Sequence, residues 1–253
     1  MQALDRAVSI LDMLSRRENG MSLSEISDAS TLSLGTTHRF LRALADNGLV
    51  RQEPASKRYH LGLRILNMAT KMLNNNRLVA VGKPYLARTA TAMGKLVYLC
   101  QENNDEVVCV DSYTSGNGGN ATFYLQIGSV MPFHAAAAAK IIFAYHPMAT
   151  LQRLIGRHAP MYRYTARTKY LPDEIIEDYT LCRQRGYAVC DEEMEHGVHA
   201  FAAPVFNYDR KAVASVVTIS IKTGEDNVPG MIQSIRACAG DISRDMGFIP
   251  AGV

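Results

Sequence analysis

A two-domain α+β fold is what this chain of 253 residues predicts, and three observations carry the prediction. At 47% hydrophobic residues, a chain this long holds more apolar material than one typical core needs. Its N-terminal quarter is a series of short helical patterns closed by two extended runs, which reads as a winged helix-turn-helix. Further on, strand-like runs alternate with helical ones, the pattern of an α/β domain whose sheet is covered by helices. The expected boundaries are a first domain over 1–62, a linker helix over 63–76 and a second domain over 77–253.

The first helix is expected from about residue 3 to 17, where Ala3, Ala7, Ile10, Leu11 and Leu14 recur at helical spacing before the "ENG" turn. In "SLSEISDAS", Ser22 and Glu25 have the spacing of a capping box, so a second short helix starts there. After a tight "TLS" turn, Ser33 caps a third helix that buries Phe40, Leu41 and Leu44 and ends at Gly48. "LVRQEPASKRYHLG" then gives two extended runs around a turn at Pro54 to Lys57, a hairpin wing. Ile65, Leu66, Ala69 and Leu73 mark the linker helix, which ends in the "NNN" run at 74–76. Beyond it, "KLVYLCQE", "EVVCVDSYT", "GYAVCDEE", "HAFAAPVFN" and "AVASVVTISI" read as strands, and 134–146, 147–156, 172–186 and 228–246 as helices.

Several classes are excluded or disfavoured. No apolar run approaches the ~20 residues that span a bilayer, and the N-terminus interrupts its apolar pattern with Asp5, Arg6 and Asp12, unlike a signal peptide. The five cysteines, Cys100, Cys109, Cys182, Cys190 and Cys238, are scattered without a CxxC, which fits a reducing cytoplasm better than a disulfide framework or zinc site. A net charge of +3 identifies no polyanion partner by itself. His196 and His199 with Glu195 are a weak match to metal-ligand spacing, and a solvated turn is the expectation. The carboxylates of "DEEMEH" have no nucleophile beside them in sequence and are expected at the surface. No cofactor, metal site or catalytic residue is expected.

Residues 34–47 divide as a helix lying in the major groove would, with short or hydrogen-bonding residues first and apolar anchors behind. The candidate DNA contacts are Ser33, Gly35, Thr36, Thr37, His38, Arg39 and Arg42 on this helix, and Lys57 and Arg58 at the tip of the wing. Taken singly, each arginine is equally well explained as part of a solvated face.

Seven segments, in order along nearly the whole chain, carry a family resemblance: "DRAVSILDML", "LSEIS", "TTHRFLRAL", "RYHLGLRIL", "GSVMPFHAAAAAKI", "RGYAVCDEE" and "HGVHAFAAPV". Together they resemble the IclR family of bacterial transcription regulators. The resemblance implies a winged helix-turn-helix joined by a helix to a GAF-like effector-binding domain, usually in dimers or tetramers. It implies Thr36 and Arg39 on operator DNA, and a pocket beside His134, the 190–193 loop, Ala200, Val217 and Ile219. Leu34 departs from the basic residue common at its position.

Family members that sense small oxo-acids carry polar groups at the positions held here by Cys190, Ala200, Val217 and Ile219. Three of these four are apolar, and each hydrogen bond left unmade costs ~1–3 kcal/mol, so an aromatic or other relatively apolar metabolite, with or without a carboxylate, is the expected effector. Tyr124, Leu125, Phe133, Ala135, Ala136 and Phe201 complete the candidate pocket, and backbone N–H groups near His134 are expected to receive a carboxylate. The implied function is an effector-controlled transcription regulator; the alternative is a small-molecule-binding enzyme or sensor whose helix-turn-helix serves protein contacts.

Overall fold

Local chemistry sets each element of the N-terminal part. In the computed structural model, which describes residues 2–114, 126–224 and 226–250, helix α1 spans Gln2–Ser15 and α2 Leu23–Ser30. The Ser22 hydroxyl accepts from the Glu25 N–H, while the Glu25 carboxylate accepts from the Ser22 N–H at 2.6 Å, so the expected capping box is formed. Thr31 takes a left-handed φ of 55°, and Ser27 Oγ donates to the Leu32 carbonyl at 2.6 Å, fixing the turn into α3, Leu34–Asp46. Gly48, at φ 68°, carries the chain out of α3 into strand β1, Val50–Gln52, which pairs antiparallel with β2, Tyr59–Leu61. Gly62 leaves no room for a side chain, because a Cβ there would collide with the Gly48 carbonyl. Ile10, Leu14, Ile26, Leu41, Leu44, Val50 and Tyr59 fill the core of this part. Helix α4, Leu63–Asn74, follows and buries none of its residues.

The chain separates into two units, Met1–Asn75 and Asn76–Val253. The second begins with a helix absent from the sequence-based expectation: α5, Arg77–Met93, capped by Asn76 and ended by a left-handed Gly94. Its signal is blurred by Pro84 in its interior and by a weak apolar periodicity. Strands β3, Leu96–Asn103, and β4, Glu106–Tyr113, form a hairpin, and the two-residue β5, Val130–Met131, extends it. Then come α6, Ala137–Phe143, α7, Met148–His158, and α8, Pro172–Arg185. The last elements are β6, Ala188–Asp191, β7, Val198–Phe206, β8, Ala212–Ile221, and α9, Val228–Asp245. Strand order in the six-stranded sheet is β5-β4-β3-β8-β7-β6, every described pairing antiparallel. Helices α5 and α9 pack against each other and one face, and α6 lies on the other with α8 beside it. No helix among the described residues is long and apolar enough to cross a membrane.

Helix α6 is shorter than the expected 134–146 and every one of its residues is buried. Its alanines bring the helix backbone close to the sheet, where Ser215 Oγ donates to the Ala138 carbonyl at 3.1 Å. Lys140, with 0% of its side chain exposed, lies 2.7 Å from Glu193 Oε1 and 2.9 Å from Asp178 Oδ2. Lys169 approaches Asp178 at 2.8 Å and Glu193 at 3.4 Å. Burial alone would lower the Lys140 ammonium, but the facing Glu193 and Asp178 outweigh it and raise it, so it stays charged. Burial likewise would raise Asp178, and Lys140 and Lys169 hold it below its ordinary value instead. Glu193, expected at the surface, is therefore an internal residue, drawn in by a cation whose alternative is burial without a partner. Replacing Lys140 with Met leaves the buried Glu193 and the half-buried Asp178 with Lys169 as their one cation among the described residues, and is expected to cost about 3–5 kcal/mol in denaturant unfolding of the full chain; wild-type stability in this variant would show that the network contributes nothing.

Candidate functional site

In the N-terminal unit, α3 presents Gly35, His38, Arg39 and Arg42 to solvent, with Thr36 half-buried beside them. Around Gly35 there is open space, so nothing inside the protein requires glycine there. Ser33 is engaged as the cap, accepting from the Thr36 N–H and donating to Thr36 Oγ1 at 2.9 Å. Thr37 corrects the sequence reading: it is fully buried, with Oγ1 donating to the Ser33 carbonyl at 3.1 Å. The spacing of 37, 41 and 44 puts it on the same face as the buried Leu41 and Leu44. Leu34, where the family resemblance leads one to look for a basic residue, is exposed at the start of the helix.

At the wing tip, Lys57 is exposed and holds a left-handed φ of 57°. Arg58 is a second correction. Its guanidinium donates to the Asn19 carbonyl at 2.8 Å, to the Gly20 carbonyl at 3.0 Å and to the Glu25 carboxylate at 2.8 Å. These bonds tie the wing to the start of α2, and the Ser22 N–H together with Arg58 holds the Glu25 carboxyl below its usual value. Arg51, exposed on β1, is a cation on the wing that the sequence reading passed over, although its position in a strand flanking the hairpin was legible.

In the second unit, strand register gathers residues distant in sequence. One row across the sheet runs Cys190, Ala200, Ile219, Leu96 from β6 to β3, and the next runs Ala188, Ala202, Val217, Tyr98. Between these rows, the start of α6 and the 194–198 turn lies a cavity of about 310 Å³. Of the expected pocket residues, Ala136, Cys190, Ala200, Val217 and Ile219 line it. Tyr98, Cys100, Met131 and Met194 do so as well and were not expected; β3 is buried on both faces, β5 has two residues and Met194 lies in a turn, so no apolar alternation marks them. Burial pushes the Cys190 thiol up, so it meets the cavity uncharged.

Four expected residues do not line the cavity. Phe201 points to the opposite face, because it follows Ala200 on a strand whose side chains alternate. Phe133 packs in the core under α8, its carbonyl accepting from the Tyr179 hydroxyl at 2.6 Å. His134 donates from Nε2 to the Tyr162 carbonyl at 2.8 Å and stacks on Tyr164; burial lowers its pKa, keeping the ring neutral. Ala135 is buried off the cavity, and the N–H groups of Ala135 and Ala136 both go to the Pro132 carbonyl, so they are not free for a carboxylate. Tyr124 and Leu125 lie outside the described residues. His199 is not part of a solvated turn: it is buried on β7, 3.3 Å from Asp226, while His196 is exposed.

Two family models match the chain: "IclR helix-turn-helix domain" over residues 3–54 and "Bacterial transcriptional regulator IclR C-terminal" over residues 70–244. The chain belongs to the IclR family. It is 32% identical over 251 residues to the glycerol operon regulatory protein of Streptomyces coelicolor, covering 97% of this chain and 96% of that one. An IclR regulator from Alicyclobacillus acidocaldarius shares its fold, with a TM-score of 0.83 at 24% identity over 98% of this chain and 99% of that one. So does an IclR homologue of Microbacterium hydrocarbonoxydans solved with 4-hydroxybenzoate, with a TM-score of 0.81 at 17% identity over 96% and 98% of the two chains. The second unit thus has the GAF-like IclR architecture, and the chain is a DNA-binding transcription regulator, not an enzyme.

Because Arg58 is a structural tie, Arg58→Ala is expected to lower the thermal midpoint of the N-terminal unit, as Glu25→Gln should, while leaving the salt dependence of DNA binding unchanged. A salt slope reduced by about 1 with no thermal change would make Arg58 a phosphate contact instead.

Proposed function

We propose that this IclR-family regulator binds double-stranded operator DNA through α3 and the wing, as a homo-oligomer, under the control of an aromatic or other relatively apolar metabolite held in the second unit. The observation that carries the effector class is the inner wall of the cavity: Ala200, Val217 and Ile219 offer a ligand no side-chain hydrogen bond. A small, strongly hydrated acid entering there would leave its water behind and find few replacements. An engineered cavity of ~150 Å³ accommodates benzene, so about 310 Å³ suits a substituted single ring or an aliphatic of similar size. The 4-hydroxybenzoate complex of a fold relative is compatible with a ring of that size.

Exposed Arg39 and Arg42 on α3 and Lys57 on the wing support the DNA reading. Self-association into a dimer or tetramer is supported by α4, which leaves Leu63, Leu66, Met68 and Met72 exposed, and by the two-fold half-sites that helix-turn-helix proteins read. A cytoplasmic location fits five free cysteines, all buried.

A band shift on the DNA upstream of the chain's own gene tests the DNA half. Arg39→Ala is expected to weaken specific binding by about 1–3 kcal/mol in a folded protein, and Lys57→Ala to weaken binding to all sequences with a flatter salt dependence. Unchanged operator affinity for Arg39→Ala would remove Arg39 from the interface. Calorimetry tests the effector half. Val217→Ser with Ile219→Ser is expected to reduce affinity for aromatic ligands by ~25 cal/mol per Å² of lost apolar contact. Tight binding of glyoxylate or pyruvate by the wild-type chain would contradict the apolar cavity.

A further inference from the structure

Tyr98 stands apart among the groups around the cavity. Its side chain is 1% exposed, it lines the cavity, and its hydroxyl has no hydrogen-bond partner among the described residues. A buried hydroxyl left unpaired is costly, and native proteins place one where a ligand, an ion or a water completes it. Its position follows from register: Tyr98 faces Val217 across β3 and β8, so its ring belongs to the same sheet face as the apolar wall. Two other hydroxyls lie near the wall: that of Ser215 donates to the Ala138 carbonyl, and that of Ser129, which also lines the cavity, accepts from the Gln126 N–H at 3.0 Å. Burial, together with the nearby Cys109 and Cys100, pushes the phenol above its ordinary value, so it is a donor at any physiological pH.

The charges around the cavity are equally one-sided. Among the described residues lining it there is no Lys, Arg or His, and the one ionisable carboxylate is Glu195, exposed on the 194–198 turn. Lys140, although it sits on α6 close to the lining alanines, is engaged by Glu193 and Asp178. A carboxylate entering this space would lose its hydration with no cation to replace it.

Resting on the apolar-cavity reading above, we infer that Tyr98 sets the specificity of the site: the effector is an uncharged, largely apolar molecule with one hydrogen-bond acceptor, such as a ketone, ester or ether oxygen, that receives the Tyr98 hydroxyl. A site with a fixed buried donor rejects an isostere that lacks the acceptor, because the donor is then left unpaired. The ring would supply contact and the hydroxyl would supply orientation.

Three probes of one size separate the possibilities: acetophenone, its hydrocarbon isostere α-methylstyrene, and benzoate, each titrated by calorimetry into the full wild-type chain and into Tyr98→Phe. The expected wild-type order is acetophenone about tenfold tighter than α-methylstyrene, with benzoate weakest. In Tyr98→Phe, α-methylstyrene is expected to bind at least as well as in wild type, which also reports a folded cavity, and the preference for the ketone is expected to vanish. Equal binding of ketone and hydrocarbon by the wild type, or an unchanged preference in Tyr98→Phe, would overturn the role of Tyr98 while leaving the apolar cavity standing. Benzoate binding more tightly than acetophenone would overturn the uncharged ligand. Binding of neither ketone nor hydrocarbon would overturn the apolar-cavity reading itself, and this inference with it.

Discussion

A lysine buried without exposed surface must be met by carboxylates, and Lys140 imposes that condition on everything around it. The cation rides on α6, so it fixes where Asp178 of α8 and Glu193 of the chain after β6 have to stand. Thr168 and Thr165 extend the arrangement, donating to the carbonyls of Glu193 and Glu192 at 2.6 and 2.7 Å. The cavity is walled by the same two pieces of chain: Ala136 to Ala138 lead into Lys140, and Met194 and Glu195 follow Glu193. An ion network that contributes little net stability as a pair can still dictate position, and here it holds one wall of the cavity against the other.

The N-terminal unit solves a comparable problem with a half-buried group. Its small core fixes α1 to α3, but the wing is a two-stranded hairpin, an element with little stability of its own. Arg58 reaches from the wing to Asn19, Gly20 and Glu25, and a bridge between Met21 and Tyr59 adds to it. Lys57 is thereby presented at the tip while its neighbour secures the hairpin. Adjacent cations in one sequence motif thus have different tasks, and only the partners they find distinguish them.

Much of this was legible in the residues. Capping chemistry at Ser22, Glu25 and Ser33 and the left-handed exit at Gly48 are local, so they survive translation into structure unchanged. The pairing of Val217 with Ile219 on one face follows from strand alternation alone. What was not legible depends on contacts remote in sequence. Helix α5 was hidden by its interior proline, and β3, covered on both faces, shows no alternation from which to assign Tyr98 to the cavity. Phe201 was misplaced because its aromatic ring, one residue after Ala200, suits flat contact with a ligand, whereas strand alternation puts it on the opposite face. Glu193 and Arg58 read as ordinary surface charges until Lys140 and the Asn19 to Glu25 segment supply their partners.

If the cavity controls operator binding as proposed, the two occupancies form one linked equilibrium, and linkage requires the coupling to be reciprocal. The direct measurement takes a compound that raises the thermal midpoint of the wild-type chain but not of the Val217→Ser, Ile219→Ser chain. Its Kd is then measured with and without operator DNA, and the operator Kd with and without the compound, at one salt concentration. Both constants are expected to shift by the same factor, about 5-fold to 150-fold. A compound that fills the cavity while operator affinity stays unchanged would show that the two sites are not coupled.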